Sequence, residues 1–187
     1  MKEYLTDKEL VTLYKSGDEP DRAFQLIVEK FQERLYWHIR KMVILHEDAD
    51  DLLQKVFIKV WKGLENFREE SKLYTWLYRI ATNETITFLN KKKKERAESF
   101  EVYENYLSNN LEADSFFDGN EIQAILQKAI LTLPEKQRVV FNMKYFDEIK
   151  YKEMSEILDT SEGALKASYH HAVKKIETFV KNNSEVH

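Results

Sequence analysis

The sequence predicts an all-α protein of two small helical domains joined by an acidic linker, and three observations carry that reading. Glycine occurs 4 times and proline 2 times in 187 residues, too little punctuation for a fold built on tight turns. Apolar residues recur at helical spacing through most of the chain. Charge is partitioned: residues 1–97 carry a net +2, residues 98–121 hold 7 acids and no base, and residues 122–187 carry +1, so the overall −4 comes from one stretch. Such asymmetry says more than the net value, and it places domains at 1–97 and 122–187 with the linker at 98–121. The balance of 43% hydrophobic and 33% charged residues fits soluble amphipathic helices. No apolar run approaches a membrane span and the N-terminus lacks a signal-peptide core. The expectation is a cytoplasmic protein with no direct membrane insertion. Zero cysteine removes disulfides and thiolate metal sites.

In the first domain, Thr6-Asp7-Lys8-Glu9 has the form of a capping box ahead of Leu10, Val11, Leu13 and Tyr14, and this helix ends at Ser16-Gly17. Pro20 suits the first turn of a second helix, whose stripe of Ala23, Phe24, Ile27, Phe31, Leu35, Ile39 and Met42 reads as core. Tyr36-Trp37-His38 beside it reads as half-buried packing. A third helix begins at Asp48 with acids and carries Leu53, Phe57, Val60 and Trp61 near helical spacing. The loop from Leu64 to Lys72 follows, with Gly63 at its entry and Phe67 bare among charges; Ser71 is the expected cap of the next helix. There Trp76, Arg79 and Asn83 stand at i, i+3 and i+7, on one face, and the helix runs into Lys91-Lys92-Lys93-Lys94. An aromatic, a cation and an amide on one face leading into four lysines point to nucleic acid, with the lysines on phosphates.

Residues Ala97 to Glu121 show little periodicity and read as a linker with transient helix around Phe100 to Leu107. Beyond it, Ile122, Ile125, Leu126, Ala129, Ile130 and Leu133 form an amphipathic helix. Pro134 restarts the chain at a first turn, and Val139, Val140, Met143 and Phe146 give the next apolar face. A short helix from Tyr151 to Leu158, a turn at Asp159-Thr160-Ser161 and a longer helix from Glu162 to about Lys181 spell helix-turn-helix. Ser161 is its N-cap. Leu165, Ala172, Val173 and Ile176 should face the core, leaving Lys166, Ser168, His170, His171, Lys174 and Lys175 for contact.

Two clusters invite a metal reading and neither sustains it. In His46-Glu47-Asp48-Ala49-Asp50-Asp51 the carboxylates point in different directions on a helix and no glycine-bearing calcium loop surrounds them. Acids at a helix N-terminus offset its dipole. His170 and His171 are adjacent and project about 100° apart. No HExxH, phosphate-binding glycine loop or nucleophile elbow is present. No cofactor, metal or catalytic activity is expected.

The stretch Asp48-Ala49-Asp50-Asp51-Leu52-Leu53-Gln54, with Val56-Phe57, Trp61, Phe67, Thr75-Trp76-Leu77-Tyr78-Arg79-Ile80-Ala81 and Asn83, resembles region 2 of the extracytoplasmic-function (ECF) sigma factors of the sigma-70 family. Leu133-Pro134, Gln137-Arg138, Glu153, Leu158, Ser161, Gly163, Lys166, His170 and Ala172 are similar to their region 4. Together the two matches cover nearly the whole chain. The resemblance implies a protein that binds RNA polymerase core, directs it to promoter DNA and opens the start site. It implies docking on the β′ clamp coiled coil through Asp48, Asp50, Asp51, Leu53, Gln54, Phe57 and Trp61, with a further contact on the β flap. It assigns the −10 element to Phe67, Lys72, Tyr74, Thr75, Trp76, Arg79, Asn83, Lys91 and Lys92. It assigns the −35 element to Arg138, Ser161, Lys166, Ser168, His170, His171, Lys174 and Lys175. An anti-sigma factor is a further expected partner, and the acidic linker would run through polymerase channels that otherwise hold nucleic acid. Several positions depart from the family pattern: Lys55 stands where Glu is usual, Thr75 replaces one ring of an aromatic pair, Asp159 replaces a turn glycine, and Ser168 and His171 stand where Arg is frequent. The rival reading is a helix-turn-helix regulator whose N-terminal half senses a ligand or dimerises.

Overall fold

A computed structural model describes residues 5–43, 45–95 and 121–184, and every regular element in them is an α-helix. Most of the expected linker, with its transient helix near Phe100 to Leu107, lies outside the described residues. The chain divides into two compact units, Met1–Phe88 with Glu156–Leu158 and Leu89–Ser155 with Asp159–His187.

The first unit is built on α1 (Asp7–Ser16), α2 (Pro20–Val43), α3 (His46–Leu64) and α4 (Leu73–Glu95). The capping box closes α1 as expected: Glu9 N–H donates to Thr6 Oγ1 at 3.3 Å, and Thr6 N–H donates back to the Glu9 carboxylate at 2.7 Å. The carboxyl of Glu9 is held below its ordinary range, first by the Thr6 hydroxyl and then by the Thr6 backbone N–H. Gly17 ends α1 at φ 76°, a left-handed conformation open to glycine at no steric cost. Helix α2 packs on both α1 and α3, burying the stripe Ala23, Ile27, Phe31, Leu35, Ile39 and Met42.

Two local expectations shift. The buried face of α3 is Ala49, Leu52, Val56, Val60 and Leu64, which follow i, i+4 steps from Leu52 on a helix packed on α2; Leu53 and Trp61 fall on the adjoining face. His38 is fully buried, whereas Tyr36 and Trp37 are half-buried. The Thr82 hydroxyl donates to Tyr78 O at 2.7 Å, so it can only accept from His38 Nε2, 2.9 Å away. That fixes the proton on Nε2 and satisfies a polar group inside the core.

The second unit holds α5 (Glu121–Leu131), α6 (Glu135–Tyr145), α7 (Tyr151–Leu158) and α8 (Glu162–Ser184). Helix α8 packs on α5 and α6 over a core of Ala129, Ile130, Leu133, Phe141, Ala172 and Ile176. Phe141 stacks on Tyr145 at 5.1 Å and on Tyr169 at 5.8 Å, so one ring joins the end of α6 to the middle of α8. Pro134 sits one step earlier than expected, as the residue before α6, with φ −51° and ψ 141°; its extended ψ sets the chain direction into the helix. Between α7 and α8, Asp159 takes the left-handed conformation at φ 48°, ψ 48°. Aspartate is among the few non-glycine residues that do so at modest cost, which is how the turn dispenses with glycine.

Candidate functional surfaces

The first surface is a groove of about 510 Å³ between α2 and α3, lined by Phe24, Val28, Gln32, Leu53, Gln54, Phe57, Ile58 and Trp61. Its walls are i, i+4 ladders: 24–28–32 on α2 and 53–57–61 on α3, each one position off the stripe that faces the core, with 54–58 on α3 one position further round. Phe24 fixes the aromatic floor, edge-on to Trp61 at 4.9 Å and to Phe57 at 6.3 Å. Trp61 is braced from α1 by Tyr14 at 5.7 Å and remains 37% exposed, and Ile58 is 54% exposed. An isoleucine and an indole thus stand open to water beside one groove.

The acids stand at the N-terminal end of the same helix. Asp51 is exposed, and Asp48 and Asp50 are half-buried. Asp50 is tied to His46 Nε2 at 3.1 Å, while Tyr36 OH lies 2.7 Å from His46 Nδ1. Tyr36 in turn bonds Arg40, whose guanidinium pKa is pushed down chiefly by burial. The helix therefore presents carboxylates at one end and apolar area along its flank. Among the residues expected here, Phe57 is 9% exposed and belongs as much to the floor as to the surface. Sequence reasoning places Phe24 in the core stripe and gives Val28 and Ile58 no surface role; the 24–28–32 ladder on α2 is the signal for the first two, and the 54–58 step on α3 for Ile58.

The second surface is the α3–α4 loop with the first turns of α4. Phe67 is not bare among charges: it is 6% exposed and packs on Trp76 at 4.9 Å with a 36° tilt. Trp76 lies so close to α3 that a Cβ on Gly63 would meet its Cζ2 at 3.0 Å. Gly63 is thus the clearance for the indole rather than only a helix end. Tyr74 is half-buried, with the Arg34 guanidinium 5.5 Å from its ring centroid and the Tyr78 ring 4.5 Å away at a 45° tilt. Thr75 is the clearest departure. It is 1% exposed, and its Oγ1 finds no hydrogen-bond partner among the described residues. At the third position of α4 its side chain is turned into the core, at the edge of the exposed face that holds Arg79 and Asn83. Lys72, Arg79, Asn83 and Lys91 are exposed, and Lys92 is half-buried.

The third surface is the solvent face of α8. Ser161 Oγ accepts from Ala164 N–H at 3.3 Å, the expected cap, and Leu165, Ala172 and Ile176 are buried. Lys166, His170, His171, Lys174 and Lys175 are exposed and Ser168 is half-buried. Arg138 breaks the pattern: expected on the DNA side, it is buried at 6% exposure, because the fourth position of α6 turns its side chain into the helical layer. One feature escaped the sequence. The ammonium groups of Lys144 and Lys166 lie 5.2 and 5.6 Å from the Tyr151 ring centroid, which joins the end of α6 and the starts of α7 and α8 in one cationic patch. Burial, and after it the neighbouring Tyr169, raises the Tyr151 phenol above its ordinary pKa. No helical period brings residues 144, 151 and 166 together.

A helix-turn-helix with a capped, cation-bearing second helix, together with a separate four-helix unit that offers carboxylates and exposed apolar area, defines a DNA-reading transcription protein that also docks on another protein. The family model "Sigma-70 region 2" matches residues 27–95, and "Sigma-70, region 4" matches residues 123–176. The ECF RNA polymerase sigma factor SigW of Bacillus subtilis (strain 168) is 31% identical over 171 residues, spanning 87% of this chain and 90% of the relative. The ECF RNA polymerase sigma-E factor of Escherichia coli (strain K12) is 30% identical over 195 residues, spanning 96% and 97%. The chain belongs to the ECF RNA polymerase sigma factors of the sigma-70 family. The same fold is found in CnrH, solved in complex with the cytosolic domain of CnrY, with a TM-score of 0.68 and 20% identity over 94% of this chain and 97% of that one. It is found again in the sigma factor RpoE of Bartonella quintana, solved with the anti-sigma factor NepR, with a TM-score of 0.65 and 18% identity over 84% and 96%.

Proposed function

We propose a division of labour for this sigma factor among the three surfaces. Residues 1–97 dock on polymerase core and open the −10 element, residues 98–121 tether, and residues 122–187 read the −35 element. The observation that carries the reading is the joint placement, on α3, of an acidic N-terminal end and a half-open aromatic groove. A basic coiled coil such as the β′ clamp meets both needs at once: acids steer the encounter, and Ile58, Trp61, Leu53 and Gln54 supply desolvated contact area. The exposed face of α4 and the 65–72 loop take the non-template strand, with Trp76 as the single stacking ring. On α8, Lys166, Lys174 and Lys175 hold phosphates, while Ser168, His170 and His171 face base edges; Lys144 and Tyr151 extend the phosphate contact.

The buried Thr75 and Arg138 act in this reading through packing. The chain performs no chemistry of its own and works in the cytoplasm, where the polymerase is; no helix among the described residues is long and apolar enough to cross a membrane. The β flap is the expected polymerase contact of the second unit. Because two fold relatives were solved in complex with other proteins, CnrH with the cytosolic domain of CnrY and RpoE with the anti-sigma factor NepR, an anti-sigma factor is a natural competitor for the α2–α3 groove. In vitro transcription with purified core on pooled genomic promoters tests the whole reading: specific run-off products that need this chain support it, and core that initiates no better with the chain than without it refutes it.

A further inference from the structure

Helix α1 touches both ends of the loop between α3 and α4. At its C-terminal end, Lys15 Nζ donates to Phe67 O at 2.8 Å and pairs with Glu69 at 3.0 Å. At its N-terminal end, Asp7 Oδ2 accepts from Tyr74 N–H at 3.3 Å, in the first turn of α4, while Lys30 holds the other Asp7 oxygen at 2.8 Å and Leu5 O at 2.9 Å. The segment between these anchors has of its own a largely exposed Arg68–Glu70 pair at 3.9 Å. Asn66 and Phe67 still donate to Gly63 O and Leu64 O, but residues 68–70 and Lys72 are exposed, and Glu69 sits at φ 59°. A left-handed glutamate is strained and persists only where neighbours determine it. The Lys15 bonds to the residue itself and to the carbonyl two positions before it are such determinants.

We infer that α1 is a brace that holds the 65–72 loop in its reading conformation, with Lys15 and Asp7 as positioning residues for recognition of the −10 element. The matched region 2 begins at residue 27, so the brace stands outside it. This inference rests on the proposal that the loop reads the −10 strand. A loop that reads a base in only a fraction of its conformations binds more weakly by that fraction. Loosening it therefore penalises the matched sequence, which uses the loop, more than a mismatched one, which does not. Loss of a charge-assisted bond from a side chain about one-third exposed, discounted for solvent, should lower the matched-to-mismatched ratio about five-fold.

The test uses holoenzyme made from purified core and full-length chain. The template is the strongest promoter recovered from pooled genomic fragments, with its −10 or its −35 element randomised, and open complexes are sequenced. Lys15→Met keeps the aliphatic stem; Lys15→Arg keeps the charge. The brace predicts that Lys15→Met flattens the −10 preference about five-fold and leaves the −35 preference within two-fold, and that Lys15→Arg recovers most of the loss. A −10 preference unchanged by Lys15→Met overturns it, as does an equal fall at both elements, the mark of general destabilisation. Should Lys15→Met fail to fold, Glu69→Gln, an exposed change, removes the ionic contact alone and is judged by the same ratio. Replacing residues 68–71 with Gly-Ser-Gly-Ser separates the two levels. If that replacement flattens the −10 preference and Lys15→Met does not, the brace is wrong and loop reading stands. If the replacement leaves the preference intact, loop reading itself is wrong and the brace falls with it.

Discussion

The two units solve the presentation of a binding surface in opposite ways. In the second unit the surface is one helix: Ser161 caps α8, Leu165, Ala172 and Ile176 bury one side, and everything opposite is available by the pitch of the helix alone. In the first unit no single helix suffices. The groove needs Phe24 of α2 beneath Trp61 and Phe57 of α3, and the loop is tied to α1 across more than fifty residues of sequence by Lys15. A local surface is robust to change elsewhere provided its core holds; an assembled surface fails at its joints. Substitutions in the two units should therefore differ in kind as well as in size.

The largest effect should come from a joint inside the second unit. Phe141→Ala removes the ring that stacks on Tyr145 and Tyr169 and should cost about 3–5 kcal/mol, seen as a fall in melting temperature and in the denaturation midpoint. A cost under about 1 kcal/mol would show that α8 is held without it. In the first unit, Gly63→Ala places a methyl 3.0 Å from the Trp76 ring. Overpacking of this kind costs about 1–3 kcal/mol, and the displaced indole should shift the tryptophan emission. An unchanged spectrum and melt would mean that the ring yields freely and that the joint is loose.

Smaller changes sharpen the contrast. Ser161→Ala should lose about 1 kcal/mol, as N-cap removal does, and weaken −35 binding without altering the groove. Thr75→Val should do the reverse of an ordinary core mutation. It removes a buried hydroxyl that lacks a partner, so stability should rise by about 1 kcal/mol, and permanganate reactivity of an open promoter should stay at the wild-type level. Loss of opening in Thr75→Val would restore this residue to the DNA surface. The smallest effect is on pH. The carboxyl of Glu9 is lowered in the folded chain from its ordinary 4.5, so the capping box contributes fully above that value, and its contribution is lost as the pH falls from 4.5 through the folded value. The protection of α1 amides, relative to their intrinsic exchange at each pH, should fall over that acid range, and Glu9→Gln should remove this pH dependence.

These differences also explain what could be read from the chain beforehand. All eight described helices stood in the periodicity, and local signals marked several of their ends, because Thr6, Gly17, Pro20 and Ser161 act within a few residues of themselves. The face of α8 was legible for the same reason. The groove was half legible: its α3 wall carried a recognisable pattern, but Phe24 was merged with the core stripe although it lies about 100° around the helix from Ala23. Phe67 read as exposed because its neighbours are charged, whereas its partner, Trp76, comes nine residues later. Lys15, Asp7 and the Lys144–Tyr151–Lys166 patch left no trace, since a contact between distant residues has no period. Burial of Thr75 and Arg138 was hidden because each sits where a helix turns a polar residue inward.

The central claim is that the first unit's assembled groove is what joins this sigma factor to polymerase core. Ile58 tests it most directly, because it is 54% exposed and can be changed without disturbing the fold. Ile58→Asp in the full-length chain, titrated against purified core with circular dichroism as the control, should bind about 30-fold more weakly, the loss of roughly 2 kcal/mol expected at a desolvated anchor. Binding of the folded variant within two-fold of the wild type would contradict the claim and move the docking site off the α2–α3 face.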